Sequence, residues 1–190
     1  MDDDWKATWQ VVIDQVGVAL GSEQPRFGAD AVEAGAIRRY LEPLEFDCAL
    51  HTDLEQARAH GFPGITAPYT SLTTFALPAV WEPGERQFIN PDRDAQPARL
   101  SVKPLLPPGA PPVTGFFVTD WEAEYLRPVV VGERLARRGQ KLTHCLPKET
   151  RVGRGAFVTT ESEVITITGE VVARLRSTSF HYNPHSEETK

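Results

Sequence analysis

The feature that most constrains this chain is a change of pattern near residue 112. Beyond it, residues 116–126, 134–146, 155–168 and 171–182 form strand-length runs rich in Val, Ile, Thr and Phe. Thr168-Gly169-Glu170 separates the last two by so little that they form a hairpin. Arg127-Pro128-Val129-Val130-Val131-Gly132-Glu133 is a turn leading into the second run. Before residue 80 the spacing is helical. Helices first and a meander afterwards predict the α+β class: an antiparallel sheet of about five or six strands with one face on a central helix.

Trp9, Val12, Ile13 and Val16 fall at helical spacing and predict an opening helix over 5–16. A first strand over 18–27 follows, broken by Pro25. Asp30-Ala31-Val32-Glu33 reads as a capping box for a helix over 31–44, with Val32, Ile37, Tyr40 and Leu41 as its buried stripe and Pro43 as its stop. Thr52-Asp53-Leu54-Glu55 is a second capping box, and Gly61 ends the helix it opens. Tyr69 to Val80 is apolar and small, with Leu72, Phe75, Ala76 and Ala79 on one face, as a buried central helix requires.

Nine of the 16 prolines lie between Pro78 and Pro112. Phe88, Ile89, Leu100, Val102, Leu105 and Leu106 make this stretch too apolar for disorder, so residues 80–112 are expected to be an ordered excursion that shapes a binding surface. A chain of 190 residues with 41% hydrophobic content suits one domain over 1–190, with a polar tail from 185. A net charge of −6 argues against nucleic acid. No apolar run approaches ~20 residues, so no membrane span is expected. The acidic start Met1-Asp2-Asp3-Asp4-Trp5 is unlike a secretory signal, which leads to a cytoplasmic expectation. Cys48 and Cys145 have no metal-ligand spacing, and no metal is expected.

The chemistry centres on Phe46-Asp47-Cys48-Ala49-Leu50-His51, followed by a short helix, Gly61-Phe62-Pro63-Gly64-Ile65-Thr66-Ala67-Pro68, and later Arg127 to Glu133. In order and spacing these segments resemble the MaoC-like hot-dog hydratases and dehydratases, over roughly residues 22–183. The similarity is greatest to the N-terminal type that forms the substrate-supporting half of double hot-dog enzymes. The family signature is Gly-Asp-x-Asn-Pro-x-His. Aligned on His51, the acid position holds Phe46 and the asparagine position holds Cys48, while Asp47 sits one residue late.

The resemblance implies a single hot-dog fold and a 2-enoyl-CoA hydratase or dehydratase in which the CoA thioester is substrate and no cofactor is needed. It also implies a second hot-dog subunit as partner, or a homodimer. Pro68-Tyr69 stands where catalytic members usually have His-Gly, the glycine N–H holding the thioester oxygen. The implied catalytic residues are His51 and Asp47. The implied acyl-binding residues are Phe46, Pro68 and Tyr69, with Phe88, Ile89, Leu105 and Leu106 from the excursion. With the acid displaced and the oxyanion position altered, the resemblance points to an acyl-supporting subunit for a bulky acyl-CoA, such as a steroid side chain, with the main Asp/His pair on its partner. Two alternatives stay open: a homodimeric (R)-specific hydratase using His51 and Asp47, and a hot-dog acyl-CoA-binding protein without turnover.

The remaining candidates have structural readings. His60 stands at a helix C-terminus, where the dipole favours it. His144 and Cys145 lie on a β-run without a neighbouring partner. Asp120 and Glu122 alternate along a solvated strand face. Lys148, Arg151 and Arg154 make a basic loop able to meet CoA phosphates.

Overall fold

The computed structural model describes residues 4–20, 24–92 and 106–185. Five antiparallel strands, β1 (Arg26–Phe27), β2 (Gly115–Tyr125), β3 (Leu135–Thr150), β4 (Gly153–Thr166) and β5 (Val171–Pro184), form one sheet in the order β1-β3-β4-β5-β2. The period-2 patterning sets this register, because a one-residue slip would turn every apolar side chain to the wrong face. Between β4 and β5 the Thr166 N–H donates to the Glu170 carbonyl, and Gly169 takes the left-handed conformation (φ 86°) that the tight turn requires.

The helices are α1 (Asp4–Ala7), α2 (Gln10–Ile13), α3 (Ala34–Leu41), α4 (Leu54–Ala59) and α5 (Leu72–Phe75). Two apolar clusters result. In one, Val32, Ile37, Leu41, Leu72 and Ala76 pack on Leu135, Val164, Val172 and Leu175 of the sheet. In the other, Trp9, Val12 and Leu20 pack on Leu142, Cys145, Ala156 and Val158, with Leu106 against them. Among the described residues no helix is long and apolar enough to cross a membrane.

Several sequence expectations need correction. The opening helix divides into α1 and α2; Trp9 and Val12 are buried, but Val16 is exposed. The first strand divides too. Residues 17–20 bond to the β3 backbone around Gln140 and Leu142, and only Arg26 and Phe27 form β1. Asp30 does not cap α3. Glu33 is the N-cap, without a side-chain bond, because Val32 pairs instead with Glu133 and Gly132 through backbone bonds of 2.8 and 2.9 Å. In the second box the cap is Asp53 rather than Thr52, its carboxylate accepting from the Glu55 and Gln56 N–H groups.

The central helix is also far shorter than 69–80. A 3-10 turn over Tyr69–Ser71 continues into α5, which ends at Phe75. Pro78 lacks an N–H and disfavours helical backbone at Leu77, and the Leu77 carbonyl instead accepts from Ala29. The helical cover on the sheet is therefore shared by α3, through Ile37 and Leu41, and α5, through Leu72. A Cβ at Gly28 would sit 1.9 Å from the Phe75 carbonyl oxygen, so glycine is what lets the chain after β1 pass against α5.

Candidate functional site

Three of the segments singled out in the sequence converge in space. His51 closes a 3-10 turn over Ala49–His51, whose backbone bonds run from His51 N–H to Cys48 and from Asp53 N–H to Ala49. Capping by Asp53 then fixes α4 directly behind it. Thr66 is tied to this turn by its N–H, which donates to Leu50 at 3.0 Å. On its other side the same stretch pairs with Val129–Val131: Ala67 N–H reaches the Val129 carbonyl at 2.7 Å, and Val131 N–H reaches Ile65 at 2.9 Å.

The half-buried His51 places Nδ1 2.7 Å from the Thr66 carbonyl oxygen and 3.0 Å from Thr66 Oγ1. A carbonyl only accepts, so the hydrogen-bond pattern assigns the proton to Nδ1 and leaves Nε2 as the basic nitrogen. That orientation is what a catalytic or substrate-contacting imidazole needs, and it is built from backbone rather than from an acid.

Arg127 explains the third segment. Its guanidinium donates to Glu133 (2.7 and 3.1 Å) and to Glu170 (2.7 and 2.8 Å), while Glu133 also accepts from the Val130 N–H at 2.7 Å. The hydrogen bonds to Glu170 and then Glu133 hold the Arg127 pKa above its ordinary value, and Arg127 lowers that of Glu170. This latch clips the turn over residues 127–133 to the β4–β5 hairpin and so sets the strip on which Ala67 and Thr66 rest. Its role is architectural.

Other candidate residues gather less closely. Phe46 is 54% exposed, with its ring centroid 6.0 Å from that of His51. Asp47 is exposed and makes no hydrogen bond or ion pair among the described residues, so the structure does not bring its carboxylate to His51. Pro68 is buried, and its carbonyl accepts from Ser71 N–H and Oγ. Tyr69 opens the 3-10 turn, and its N–H donates to no group among the described residues. Its ring lies 4.7 Å from that of Tyr125, and nearby Tyr40 donates its hydroxyl to Thr70 Oγ1 at 2.8 Å. Burial, and secondarily Tyr40, raises the Tyr125 pKa. The Tyr69 end of the site is thus aromatic and half-open.

Of the excursion, Phe88 and Ile89 are exposed at 49% and 85%. Leu106 packs against the α1–α2 cluster, and Leu105 lies outside the described residues, as do Leu100 and Val102. Two open clefts lie elsewhere. One of about 450 Å³ is lined by Trp5, Trp9, Pro112, Arg154 and His185 among others; the second, of about 600 Å³, covers charged residues of β2 to β5. Neither includes His51 or Tyr69. Phe46 and Tyr69 are about half exposed.

The secondary candidates fall out simply. His60 caps α4 with Nδ1 2.8 Å from the Gln56 carbonyl oxygen. His144 is exposed on one sheet face, while Cys145 is buried on the other with its thiol pushed up to about 11 by burial. Lys148 and Arg151 are exposed, and Arg154 meets Glu149 at 3.1 Å. Asp120 and Glu122 are exposed on β2. Among the described residues no cluster of three or more His, Cys, Asp or Glu side chains suits a metal.

Sequence reasoning passed over two polar residues. Arg137 stands opposite buried Val164 but is itself exposed; its guanidinium donates to Ser162 Oγ at 2.9 and 3.2 Å, with no carboxylate partner among the described residues, and desolvation of the group by the surrounding protein lowers its pKa. His181 is 3% exposed, with Nε2 2.8 Å from Ser179 Oγ, and burial takes its pKa down to about 4. For His181 the available signal was parity: it stands two residues from buried Ser179.

Comparison with known proteins gives the family and the fold. Residues 18–175 match the family described as "FAS1-like, dehydratase domain region". The chain is 30% identical over 173 residues to a probable enoyl-CoA hydratase alpha subunit of Thermomonospora curvata, covering 91% of this chain and 51% of that one. It is 28% identical over 140 residues to the 3-oxo-4,17-pregnadiene-20-carboxyl-CoA hydratase alpha subunit of Mycobacterium tuberculosis, covering 74% and 42%. The chain spans about half the length of these two subunits. Among solved structures, a chain of the ChsH1-ChsH2 complex from M. tuberculosis superposes with a TM-score of 0.65 at 19% identity, covering 97% of this chain and 94% of that one. A MaoC-like dehydratase from Rhodospirillum rubrum gives 0.54 at 22% identity, covering 88% and 96%. These structural likenesses establish the hot-dog fold. The match over residues 18–175, with the 30% identity over 91% of the chain, places this chain in the MaoC-like dehydratase family.

Proposed function

We propose that this chain is one subunit of a heteromeric 2-enoyl-CoA hydratase or dehydratase, the half that cradles the acyl group, with the principal Asp/His pair on its partner. The observation that carries this reading is the His51 surroundings. The imidazole is held through Nδ1 by the Thr66 carbonyl, yet the neighbouring acid position is Phe46 and the Asp47 carboxylate is unengaged among the described residues.

Adding water across a 2-enoyl thioester needs a base for the water, an acid for the α-carbon and an N–H for the developing enolate oxygen. Here no carboxylate bonds to His51 among the described residues, and the N–H at the family's oxyanion position belongs to Tyr69, whose ring crowds that approach. The names of the relatives, alpha subunits of CoA-thioester hydratases, support the same reading. The 11-residue edge strand β2 supports assembly with a second hot-dog, since long exposed edges are otherwise liabilities. The pregnadiene-carboxyl-CoA relative supports a bulky acyl group.

The test is to co-express the chain with a second MaoC-like hot-dog chain that carries the intact Asp-x-Asn-Pro-x-His and assay hydration of acyl-CoAs. In the assembled complex His51→Ala should keep turnover within about tenfold, roughly 1.4 kcal/mol of barrier. A thousandfold loss with the complex intact would put the acid–base work in this chain. One observation favours that second reading, in which a homodimer turns over by itself: the Nδ1–H to Thr66 bond leaves Nε2 of His51 ready to accept a proton. Turnover by the purified chain alone would decide for it. For the acyl group, Phe88→Ser with Ile89→Ser should weaken binding of long or polycyclic acyl-CoAs more than of crotonyl-CoA. Equal effects on both would remove the excursion from the acyl site.

A further inference from the structure

The sheet face turned away from α3 carries two rows of charge that alternate in sign from strand to strand. One row runs Arg138, Glu163, Arg174, Glu124 across β3, β4, β5 and β2; the other runs Lys141, Glu161, Arg176, Glu122. Arg138 meets Glu163 at 2.8 Å and Arg174 meets Glu124 at 3.0 Å; Arg176 lies 3.6 Å from Glu122 and 3.9 Å from Glu161. Both rows stop at the sheet edge on an acid. Asp120, paired with Thr178, adds a third acid on the same face of β2.

The outward side of β2 bonds to no strand among the described residues. Every residue from Phe117 to Glu122 is exposed, including Phe117 at 42%, Val118 at 53% and Trp121 at 45%. A strand with that much open backbone and apolar surface needs a neighbour. The face that neighbour must continue presents acids at every second position, each already paired with or set opposite a residue of β5.

We propose that β2 receives the edge strand of a different protein whose same-face residues at i and i+2 are Lys or Arg, and that its acids reject a second copy of this chain. This rests on the reading that the chain pairs edge to edge with another hot-dog subunit, and it adds the rule by which the partner is chosen. Such a strand would extend both rows by one more change of sign, and its intervening residue would pack beside Trp121 on the other face. A second copy related by a two-fold axis perpendicular to the sheet would bring β2 antiparallel to itself. In the in-phase registers centred on residues 120 to 124, Asp120, Glu122 or Glu124 then falls opposite one of the same three. Like charges directly opposite destabilise a sheet pair.

The test needs only this chain and charge-altered copies. Wild type, E122K/E124K, E122Q/E124Q and an equimolar mixture of wild type with E122K/E124K are compared by light scattering, with hydrogen exchange over residues 115–125 locating any pairing. The mixture should associate about tenfold more tightly than either component alone, protect 115–125, and weaken as salt rises. Should E122K/E124K fail to fold, E122Q/E124Q decides, since it should self-associate about tenfold more than wild type. If wild type alone forms a dimer protected over 115–125, edge pairing stands and the charge rule is overturned. If none of the samples protects 115–125, edge pairing through β2 falls, and the charge rule with it.

Discussion

The three-strand meander β3-β4-β5, which β2 joins out of sequence by pairing with β5, and the His51 region are held together by different means. In the meander, long ladders fix β3 against β4 and β4 against β5 over 13 register pairs each, and Leu135, Val164, Val172 and Leu175 are at or below 2% exposure. The His51 region is assembled from pieces of three to six residues, tied by single backbone bonds to Thr66 and Ala67, and it leaves Phe46 and Tyr69 about half exposed. The first region contains its own stability. The second is shaped but uncovered, which is what a surface completed by a partner or a ligand looks like.

The hardest test of that separation is a pair of truncations. Leu175→Ala removes a side chain packed under α3 and should cost about 2–5 kcal/mol, read as a lower denaturant midpoint at unchanged slope. Tyr69→Ala should cost the isolated chain about 1 kcal/mol or less, since the ring is 44% exposed and leans mainly on Tyr125. Equal losses would show that the site region is part of the core, and the contrast would collapse.

His181 gives the next largest effect, and it belongs to the meander. Its pKa in the folded chain is about 4, below the ordinary 6.5, so the unfolded chain binds the proton more readily. Stability from this group is therefore complete above pH ~6.5 and is lost as pH falls toward ~4, by roughly 3 kcal/mol in all. His181→Gln should flatten the stability–pH curve across that window. A variant curve parallel to wild type would mean that the histidine is not buried neutral.

The contrast also explains what the sequence made legible. Strand period, the hairpin at Gly169 and the α+β order needed only neighbours in the chain, and the four long strands lie where their patterning put them. The family resemblance located His51, Thr66 and Val129, which the structure does bring together. What the sequence hid was tertiary competition. Asp30 and Glu33 have the right spacing for a box, but Val32 is already bonded to the turn at Gly132 and Glu133. Tyr69 to Val80 has a helical face, but Pro78 and the Leu77–Ala29 bond end it at Phe75. His181 escaped because a titratable residue in a strand is ordinarily assigned to the solvated face, and only the parity of its buried neighbours says otherwise; the Arg137 bond to Ser162 escaped because it joins residues 25 apart in the chain.

A smaller effect tests how the His51 turn is supported. Asp53→Ala removes the side-chain acceptor for two N–H groups of α4 and should cost about 1 kcal/mol. Because the same residue's N–H closes the turn onto Ala49, amide exchange should quicken over residues 49–59 while the meander is unaffected. Quickening in both would mean that the two regions unfold as one unit.

The smallest expected change is the one that sharpens the comparison most. Phe46 stands at the family's acid position, is 54% exposed, and makes a tilted ring approach to His51 at 6.0 Å, its one ring contact among the described residues. Phe46→Ala in the isolated chain should shift stability by about 0.5 kcal/mol or less, the ordinary range for a surface substitution. In the assembled complex the same change should raise KM for long acyl-CoAs while leaving kcat within about twofold, because an apolar wall binds ground state and transition state alike. If kcat falls instead and KM holds, Phe46 orients His51 during the reaction, and the chemistry resides on this side of the interface.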